Sequence, residues 1–326
     1  MATIQIALAV YNDATYLERT LRSLEAQTFR DFHLTVLDDG STDDSGATAR
    51  SFEGRLSIEV IVAAHAGRQE AKRAVAELTE QRSPYWMVLD SDILLGPSAL
   101  GDMMDLLRAR PNVGVACARA RAYAGRRYGA SQALIEDLFY ESIENQDGTI
   151  QWIVGGCALF RREALRGVTR RRDVPEDNDL SKQLGRAWKF IAPRSLGADH
   201  LGVPTTLRGL LTRGMRDGVR VAALLAAHPG ERTLGNMARL APLPLCILGV
   251  GGVVALQPWL TGLAGLGLAG YVGAFAFATR RVPASPMLRV SAGLAFCFMN
   301  IGFCYGYLKG QGASVASHFT EPTRGI

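Results

Sequence analysis

The sequence has few cysteines, and none of them forms a recognisable metal or disulfide motif. Five occur in 326 residues, no two of them in a CxxC pair, and Cys246, Cys297 and Cys304 fall within uncharged apolar runs. This pattern argues against a zinc site and against a disulfide framework. We expect the cysteines to be packing residues.

The N-terminus lacks the features of a secretory signal. It reads MATIQIALAVYND, with no basic segment and no long apolar segment behind it. A cleaved signal peptide needs both. We therefore expect no signal peptide, and a cytoplasmic location for the first part of the chain.

Charge is absent from two long stretches near the C-terminus, residues 241–279 and 290–308. One membrane crossing takes about 20 apolar residues. The first stretch is too long for one crossing and is interrupted at Gln257 and Pro258. We predict three transmembrane helices, at about 241–257, 259–279 and 288–308, followed by a tail over 310–326. Three crossings from a cytoplasmic start would place the tail outside the cell. The basic residues Lys309 and Arg324 argue against an external tail, so a re-entrant third segment is the alternative.

The formal net charge of +5 does not point to nucleic acid. The arginines of the last third cluster beside the apolar runs, and Arg280, Arg281 and Arg289 lie between two of them. Anionic headgroups and the positive-inside rule account for such a distribution. The sequence predicts a multi-pass protein of the inner cell membrane that contacts lipid, with its catalytic part cytoplasmic.

The first part of the chain alternates strand-like and helix-like segments. Strand patterns cover residues 4–10, 32–37, 58–62 and 85–89, and helical periodicity follows the first three. Such alternation predicts an α/β fold with a mostly parallel sheet, whose ligands bind at the carboxyl ends of the strands. The polar residues expected at those ends are Tyr11, Asp38, Asp39, His65, Arg68, Asp90 and Asp92.

Two carboxylates end the fourth strand pattern, in the sequence YWMVLDSDILL. Strand side chains alternate between faces, so Asp90 and Asp92 should point the same way, with Ser91 between them. That arrangement suits a hard divalent cation, which could in turn hold a diphosphate. The alternative is a strand end followed by a solvated turn at Gly96 and Pro97.

Six segments occur in an order and spacing that resemble the family-2 inverting glycosyltransferases with the GT-A fold. They read LAVYND, LDDGSTDD, HAGRQEAKR, LDSD, GGCALFRREAL and PEDNDL, and the resemblance extends over residues 1 to about 220. It implies a GT-A (Rossmann-like) catalytic domain over 1–204, a nucleotide-sugar donor, a Mn²⁺ or Mg²⁺ ion held by the DxD-type pair, and a carboxylate base.

The resemblance assigns the donor site residue by residue. Tyr11 would stack on the nucleobase, Asp38 or Asp39 would hydrogen-bond the base or ribose, and Arg68 would lie near the diphosphate. For Asp38 and Asp39 the alternative is an Asx turn before a helix. The family often has Asn where His65 stands. The full donor set that it implies is Val10, Tyr11, Asp38, Asp39, Gly67, Arg68, Asp90 and Ser91.

The resemblance also implies the other half of the reaction. Asp177 would be the general base, and His200 would complete a metal site with Asp90 and Asp92. Glu176 would contact the acceptor. Gly155 and Gly156 lack side chains and would let a sugar approach the backbone closely, with ordinary turn glycines as the alternative. A helix N-terminus rich in acids is the alternative for Glu176 and Asp177.

Residues 205–240 carry an amphipathic pattern, with arginines on one face and leucines on another. We expect interfacial helices in contact with lipid. Arg213 and Arg216 also stand where related enzymes place basic residues near the diphosphate.

Together these features predict a membrane-anchored inverting glycosyltransferase. It would move a sugar from a nucleotide-sugar donor to a hydroxyl of a lipid-linked or cell-envelope polysaccharide acceptor, and a homo-oligomer is possible. The alternative is a polyprenyl-phosphate glycosyltransferase of the dolichol-phosphate-mannose synthase type. A phosphate acceptor is already ionised and would not need Asp177 as a base.

Overall fold

A computed structural model describes residues 2–125, 127–169, 176–227, 258–282 and 284–311, which form two compact units. The sheet unit contains the described residues of 2–121 and 143–202. The helical unit contains those of 122–142 and 203–311.

The first half of the sheet unit alternates strands and helices as the sequence pattern predicts. Its elements are β1 Ile4–Val10, α1 Ala14–Glu25, β2 Phe32–Asp38, α2 Ser45–Arg50, β3 Ile58–Val62, α3 Arg68–Thr79 and β4 Tyr85–Leu89. The boundaries of β1, β3 and β4 coincide with the predicted ones.

The rest of the sheet unit adds shorter strands and two further helices. These elements are β5 Ile93–Leu95, α4 Ala99–Ala109, β6 Val113–Cys117, β7 Arg119–Ala122, β8 Thr149–Ile150, β9 Cys157–Arg161, a 3₁₀ turn Arg162–Leu165, α6 Glu176–Leu184, β10 Lys189–Ile191 and β11 Gly197–His200.

The main sheet has the order β3-β2-β1-β4-β9-β6-β10-β8. β1 pairs in parallel with β2 and β4, β2 with β3, and β6 with β10, whereas β9 runs antiparallel to β4 and β6. A second sheet has the order β5-β11-β7. The prediction of an α/β fold with a mostly parallel sheet is confirmed.

Apolar alternation and helical spacing build the core of this unit. On β1, Ile4, Ile6 and Leu8 are fully buried, and on α1 the residues Leu17 and Leu21 are also fully buried. Each buried aliphatic side chain of this size contributes about 1.5–3 kcal/mol relative to an exposed one. The packing fixes where each strand ends, and hence where the polar residues after it lie.

The helical unit consists of α5 Gly129–Ile143, α7 Leu207–Ala227, α8 Pro258–Ala278, a 3₁₀ turn Thr279–Arg281 and α9 Pro286–Gln311. Residues 122–142, which the resemblance assigns to the catalytic domain over 1–204, pack within this unit. The reason is apolar packing, because Leu134 of α5 shares a buried cluster with Phe275, Val282 and Ala292.

Helices α7 and α9 approach so closely that only glycine fits between them. A Cβ at Gly214 or Gly218 of α7 would overlap a carbonyl oxygen of α9, and one at Gly302 or Gly306 would overlap a carbonyl oxygen of α7. Both pairs have GxxxG spacing, which lets helix backbones come close. The partner residue number rises along both helices, so they run in the same direction.

This packing changes the interpretation of the amphipathic segment. Leu210 and Ala222, which the sequence pattern assigned to a lipid-facing surface, are buried, while Leu207 remains 45% exposed. Part of the apolar face of α7 therefore contacts protein. The remainder of the predicted segment, 228–240, lies outside the described residues.

The prediction of three transmembrane helices is not confirmed. Within the described residues one helix segment, Pro286–Tyr307 of α9, is long and apolar enough to cross a membrane by length and composition, and half of it is buried against protein. The apolar part of α8, Leu263–Ala278, is shorter. The first predicted span, 241–257, lies outside the described residues.

Candidate active site

The carboxyl ends of the parallel strands meet at an open cavity. It lies where the sequence placed the ligand, because β1 to β4 all end on this side. The residues that line it are Ala9, Val10, Tyr11, Asn12, Asp13, Asp39, His65, Arg68, Ala71, Lys72, Asp90, Ser91 and Asp92.

Asp90 lies between two cations of α3. Its Oδ2 is 3.1 Å from the Arg68 guanidinium, and its Oδ1 pairs with the Lys72 ammonium. Burial alone would raise the pKa of Asp90, but the charges of Lys72 and Arg68 outweigh it and hold the pKa well below its usual range. Asp90 is therefore ionised at neutral pH.

Sequence reasoning missed Lys72. The residue lies one helical turn after Arg68 on α3, so both side chains reach the same cavity. That spacing was a usable signal, because a cation four residues from a predicted diphosphate ligand shares its helix face.

Asp92 pairs with His200, whose Nε2 lies 3.3 Å from the Asp92 Oδ2. The second sheet produces this contact, since β11 pairs antiparallel with β5 and sets His200 opposite Ile93. Burial would raise the pKa of Asp92, but the hydrogen bond and charge of His200 outweigh it and lower the pKa. The predicted proximity of His200 and Asp92 is present in the structure.

Strand alternation does not position Asp90 and Asp92, so that part of the prediction is wrong. β4 ends at Leu89, and residues 90–92 form a turn in which Ile93 N–H donates to the Asp90 carbonyl oxygen over 3.3 Å. The turn, and not a continued strand, brings both carboxylates to the cavity. Asp90 pairs there with Arg68 and Lys72, and Asp92 pairs with His200.

The described residues contain no group of three His, Cys, Asp or Glu side chains already arranged around a metal position. The donor set nevertheless fits a hard cation, because two ionised carboxylates line the cavity and the imidazole of His200 lies against one of them. The Asp92 Oδ1 is buried and accepts no hydrogen bond from the described residues. An orphaned carboxylate oxygen of this kind is a natural cation ligand.

Three glycines make room for the carboxylates of the site. A Cβ at Gly156 would lie 3.0 Å from the Asp90 Oδ2, one at Gly155 would lie 3.2 Å from the Asp177 Oδ2, and one at Gly202 would overlap the Asp92 Oδ2. Gly156 also has a φ of +100°, which side-chain-bearing residues rarely adopt. Sequence analysis identified Gly155 and Gly156 but missed Gly202, which resembles an ordinary turn glycine.

Asp177 stands in the first turn of α6, with its Oδ1 accepting the Asn178 N–H over 3.0 Å. Because Gly155 and Gly156 are consecutive, Asp177 and Asp90 approach neighbouring points of one backbone segment. Asp179 differs: it is 6% exposed and accepts a hydrogen bond from Gln183 over 2.9 Å. Glu176 begins α6.

The two acids after β2 have separate roles. The Asp38 Oδ1 accepts the Ser41 N–H, three residues on, over 2.9 Å, so this carboxylate stabilises the turn after β2. The Asp39 carboxylate lines the cavity but accepts the Ala66 and Gly67 N–H groups over 2.8 and 3.0 Å. Asp39 thus holds the loop before α3.

The ends of four strands, β1 to β4, are linked to one another at the wall of the cavity. The Val10 carbonyl oxygen accepts the Asp39 N–H over 2.9 Å, and the Ser91 hydroxyl donates to the Asp13 carboxylate over 2.7 Å. Tyr11 stacks on His65, with ring centroids 4.0 Å apart. Hydrogen bonds and ring stacking therefore fix the walls of the cavity relative to one another.

The two arginines proposed for the diphosphate lie on α7, in the helical unit. Arg213 donates to Gln132 over 3.0 Å and to Glu136 over 3.4 Å, both on α5. Arg216 is exposed on the same helix. A role for either arginine at the donor stays a prediction.

The model of the family described as "Glycosyl transferase family 2" matches residues 5–169. The chain belongs to glycosyl transferase family 2. The matched residues include β1 to β4, the turn with Asp90 and Asp92, and Gly155 and Gly156, but they end before Asp177 and His200.

Several named proteins are similar to parts of the chain. Validoxylamine A glucosyltransferase of Streptomyces hygroscopicus is 34% identical over 29% of the chain and 23% of its own length. Poly-beta-1,6-N-acetyl-D-glucosamine synthase of Staphylococcus epidermidis is 22% identical over 65% of the chain and 53% of its own length. N-acetylglucosaminyl-diphospho-decaprenol L-rhamnosyltransferase of Mycobacterium tuberculosis is 24% identical over 58% of the chain and 72% of its own length. The match thus covers between about a quarter and three quarters of each protein.

A solved structure shares the fold. The mannosyltransferase PcManGT from Pyrobaculum calidifontis, in complex with GDP-Man and Mn²⁺, superposes with a TM-score of 0.60 at 20% identity, over 95% of this chain and 87% of its own. At this level of identity the likeness shows the GT-A-like fold, and no more.

Proposed function

We propose that this protein is an inverting glycosyltransferase that moves a sugar from a nucleotide-sugar donor to a hydroxyl of a lipid-linked or cell-envelope polysaccharide acceptor. The observation that carries the proposal is the placement of Asp177 and Asp90 against the consecutive residues Gly155 and Gly156. The carboxylate proposed for the acceptor and the carboxylate proposed for the donor diphosphate thus approach consecutive residues of one backbone segment.

The chemistry follows from these positions. Asp177 takes the proton of the acceptor hydroxyl. The hydroxyl oxygen bonds to the anomeric carbon of the donor sugar as the bond from that carbon to the diphosphate oxygen breaks. Asp90, Asp92 and His200 would hold a Mn²⁺ or Mg²⁺ ion, which supplies charge neutralisation to the departing diphosphate. Arg68 and Lys72, which pair with Asp90 in the structure, would then pair with the phosphates of the donor instead. Similar proteins named above support both acceptor classes, polysaccharide and lipid-linked.

Membrane attachment is part of the proposal. The segment Pro286–Tyr307 is long and apolar enough to cross a bilayer, and Arg280 and Arg281 precede it on the predicted cytoplasmic side. The catalytic unit would face the cytoplasm, where nucleotide sugars are made.

The decisive experiment uses the full chain in membranes and a panel of UDP-, GDP- and dTDP-sugars, with identification of the glycosylated product. Asp177→Asn should lower turnover at least ~100-fold while donor affinity stays nearly constant, because only the proton acceptor is lost. Asp199→Asn, the same change at an exposed residue of β11, is the matched control and should be neutral.

A second arm tests the metal and the acceptor. EDTA, Asp90→Asn and Asp92→Asn should each abolish transfer, and full activity in EDTA would contradict the metal assignment. Near-normal turnover of Asp177→Asn on a polyprenyl phosphate acceptor would instead support the alternative function, since a phosphate needs no base.

A further inference from the structure

The cavity wall contains an aromatic pair that the sequence did not predict. The rings of Tyr11 and His65 are stacked, with centroids 4.0 Å apart and planes 24° apart. Tyr11 follows β1 and His65 follows β3, so the parallel sheet brings them together. One face of the Tyr11 ring is therefore already covered, and a nucleobase cannot stack on that face while His65 is in place.

Hydrogen bonds hold the imidazole in this position. The His65 Nδ1 lies 2.9 Å from the Asp39 Oδ2 and 3.1 Å from the Asp39 carbonyl oxygen. Both are acceptors, so Nδ1 carries the hydrogen. Asp39 is itself fixed, since it is 1% exposed and accepts two backbone N–H groups of the same loop.

His65 is nevertheless accessible from the cavity. Its side chain is 37% exposed and lines the cavity together with Arg68 and Asp90, which are expected to face the diphosphate. A ring that is backed by one aromatic side chain and anchored at one nitrogen is preorganised, so a ligand that stacks on it orders no new side chain.

We propose that His65 is the surface on which the nucleobase of the donor stacks, with Tyr11 as its support. This rests on the proposed use of a nucleotide sugar. Each base has a π face, so stacking supplies affinity for the nucleoside part with little choice among bases. The structure thereby gives a role to a residue at which this chain departs from the asparagine frequent in its family.

The experiment compares ligands with and without a base. Binding of UDP, GDP and inorganic diphosphate to the full chain is measured by calorimetry in the presence of Mn²⁺. His65→Ala should weaken UDP and GDP by ~5- to 150-fold, the range that about 1–3 kcal/mol per stacked base implies, and leave inorganic diphosphate within twofold.

Two further variants guard against a folding defect. His65→Phe keeps the stack but loses the bond to Asp39, and should recover most of the nucleotide affinity. His33→Ala removes a histidine that bonds Ser57 on the same sheet, outside the cavity lining, and should bind all three ligands as the wild type does.

Three results would overturn the inference. Unchanged or tighter nucleotide binding by His65→Ala would show that the base reaches Tyr11 directly. A proportional loss of inorganic diphosphate binding would make His65 a support for the loop alone. If the wild type binds no nucleoside diphosphate, the proposed function fails and the inference fails with it. The wild-type titration therefore separates failure of the proposed function from failure of the inference alone.

Discussion

The sheet unit and the helical unit use glycine for opposite purposes. In the sheet unit, Gly155, Gly156 and Gly202 leave space beside carboxylates, so that charged groups approach the backbone. In the helical unit, the glycines of α7 and α9 leave space for another helix backbone, so that two helices come into contact. The same missing side chain serves chemistry in one unit and packing in the other.

The difference shows that a glycine is defined by what lies opposite it. On α8, by contrast, Gly265, Gly270 and Gly273 have nothing within 4 Å of the position a Cβ would take. The GxxxG spacing distinguishes Gly214 and Gly302 from these three in sequence, but it does not say which backbone lies opposite them. Substitutions can distinguish the three groups of glycines. A side chain at a glycine of α7 or α9 should destabilise the helical unit, one beside a carboxylate should impair function, and one at the three glycines of α8 should have little effect.

The largest effect is expected from Gly302→Leu. Its side chain would overlap the Leu211 carbonyl oxygen of α7, and overpacking against rigid backbone should cost about 3 kcal/mol or more. Thermal unfolding of the full chain in detergent measures this as a lower midpoint. The matched control is Gly270→Leu on α8, which should unfold at or above the wild-type temperature, because leucine has the higher helix propensity. Equal midpoints for both variants would contradict the close contact of α7 and α9.

A smaller effect, on function and not on folding, is expected from Gly202→Ala. The methyl group would displace the Asp92 carboxylate, and disturbing a group that orients a metal ligand typically costs ~10- to 100-fold in metal affinity or activity. Mn²⁺ titration and turnover check this, with unfolding temperature as a third readout. Gly197→Ala, at the other end of β11 with open space around it, should leave all three unchanged. A Gly202→Ala protein that unfolds early but binds Mn²⁺ normally would place this glycine with the packing glycines.

The smallest effect is expected from Gly155→Ala. Its Cβ would lie 3.2 Å from the Asp177 Oδ2, so the carboxylate must move by only a few tenths of an ångström. Turnover should fall by less than about tenfold, or about 1.4 kcal/mol of activation free energy, with donor affinity unchanged. The same substitution in Asp177→Asn should add little, since the base is already lost. A full additional loss in the double variant would mean that Gly155 acts on the sugar and not on Asp177.

Local pattern was enough for much of the sheet unit. The boundaries of β1, β3 and β4 follow from runs of apolar residues, and the polar residues after them reach one cavity because parallel strands end on the same side. Asp90 and Asp92 were visible for the same reason, because they directly follow β4. Asp177, in the first turn of α6, was identified through the family resemblance instead.

Pattern failed where a long-range contact decides the outcome. The apolar face of α7 suits lipid and a helix equally well in sequence, and only the tertiary structure places α9 against it. The segment 122–142 lies between two parts of the sheet unit in sequence, yet α5 packs within the helical unit, because Leu134 finds its apolar neighbours there.

The sequence by itself determined the alternation of strands and helices, the strand ends, and the residue types available for a nucleotide, a cation and a base. Only the tertiary structure decided their partners: Lys72 on Asp90, His200 on Asp92, His65 on Tyr11, and Gly202 beneath a carboxylate. The physical reason is that periodicity reports which face of an element is buried. Which groups then meet depends on sheet order and register between segments far apart in the chain, and no local pattern contains that information.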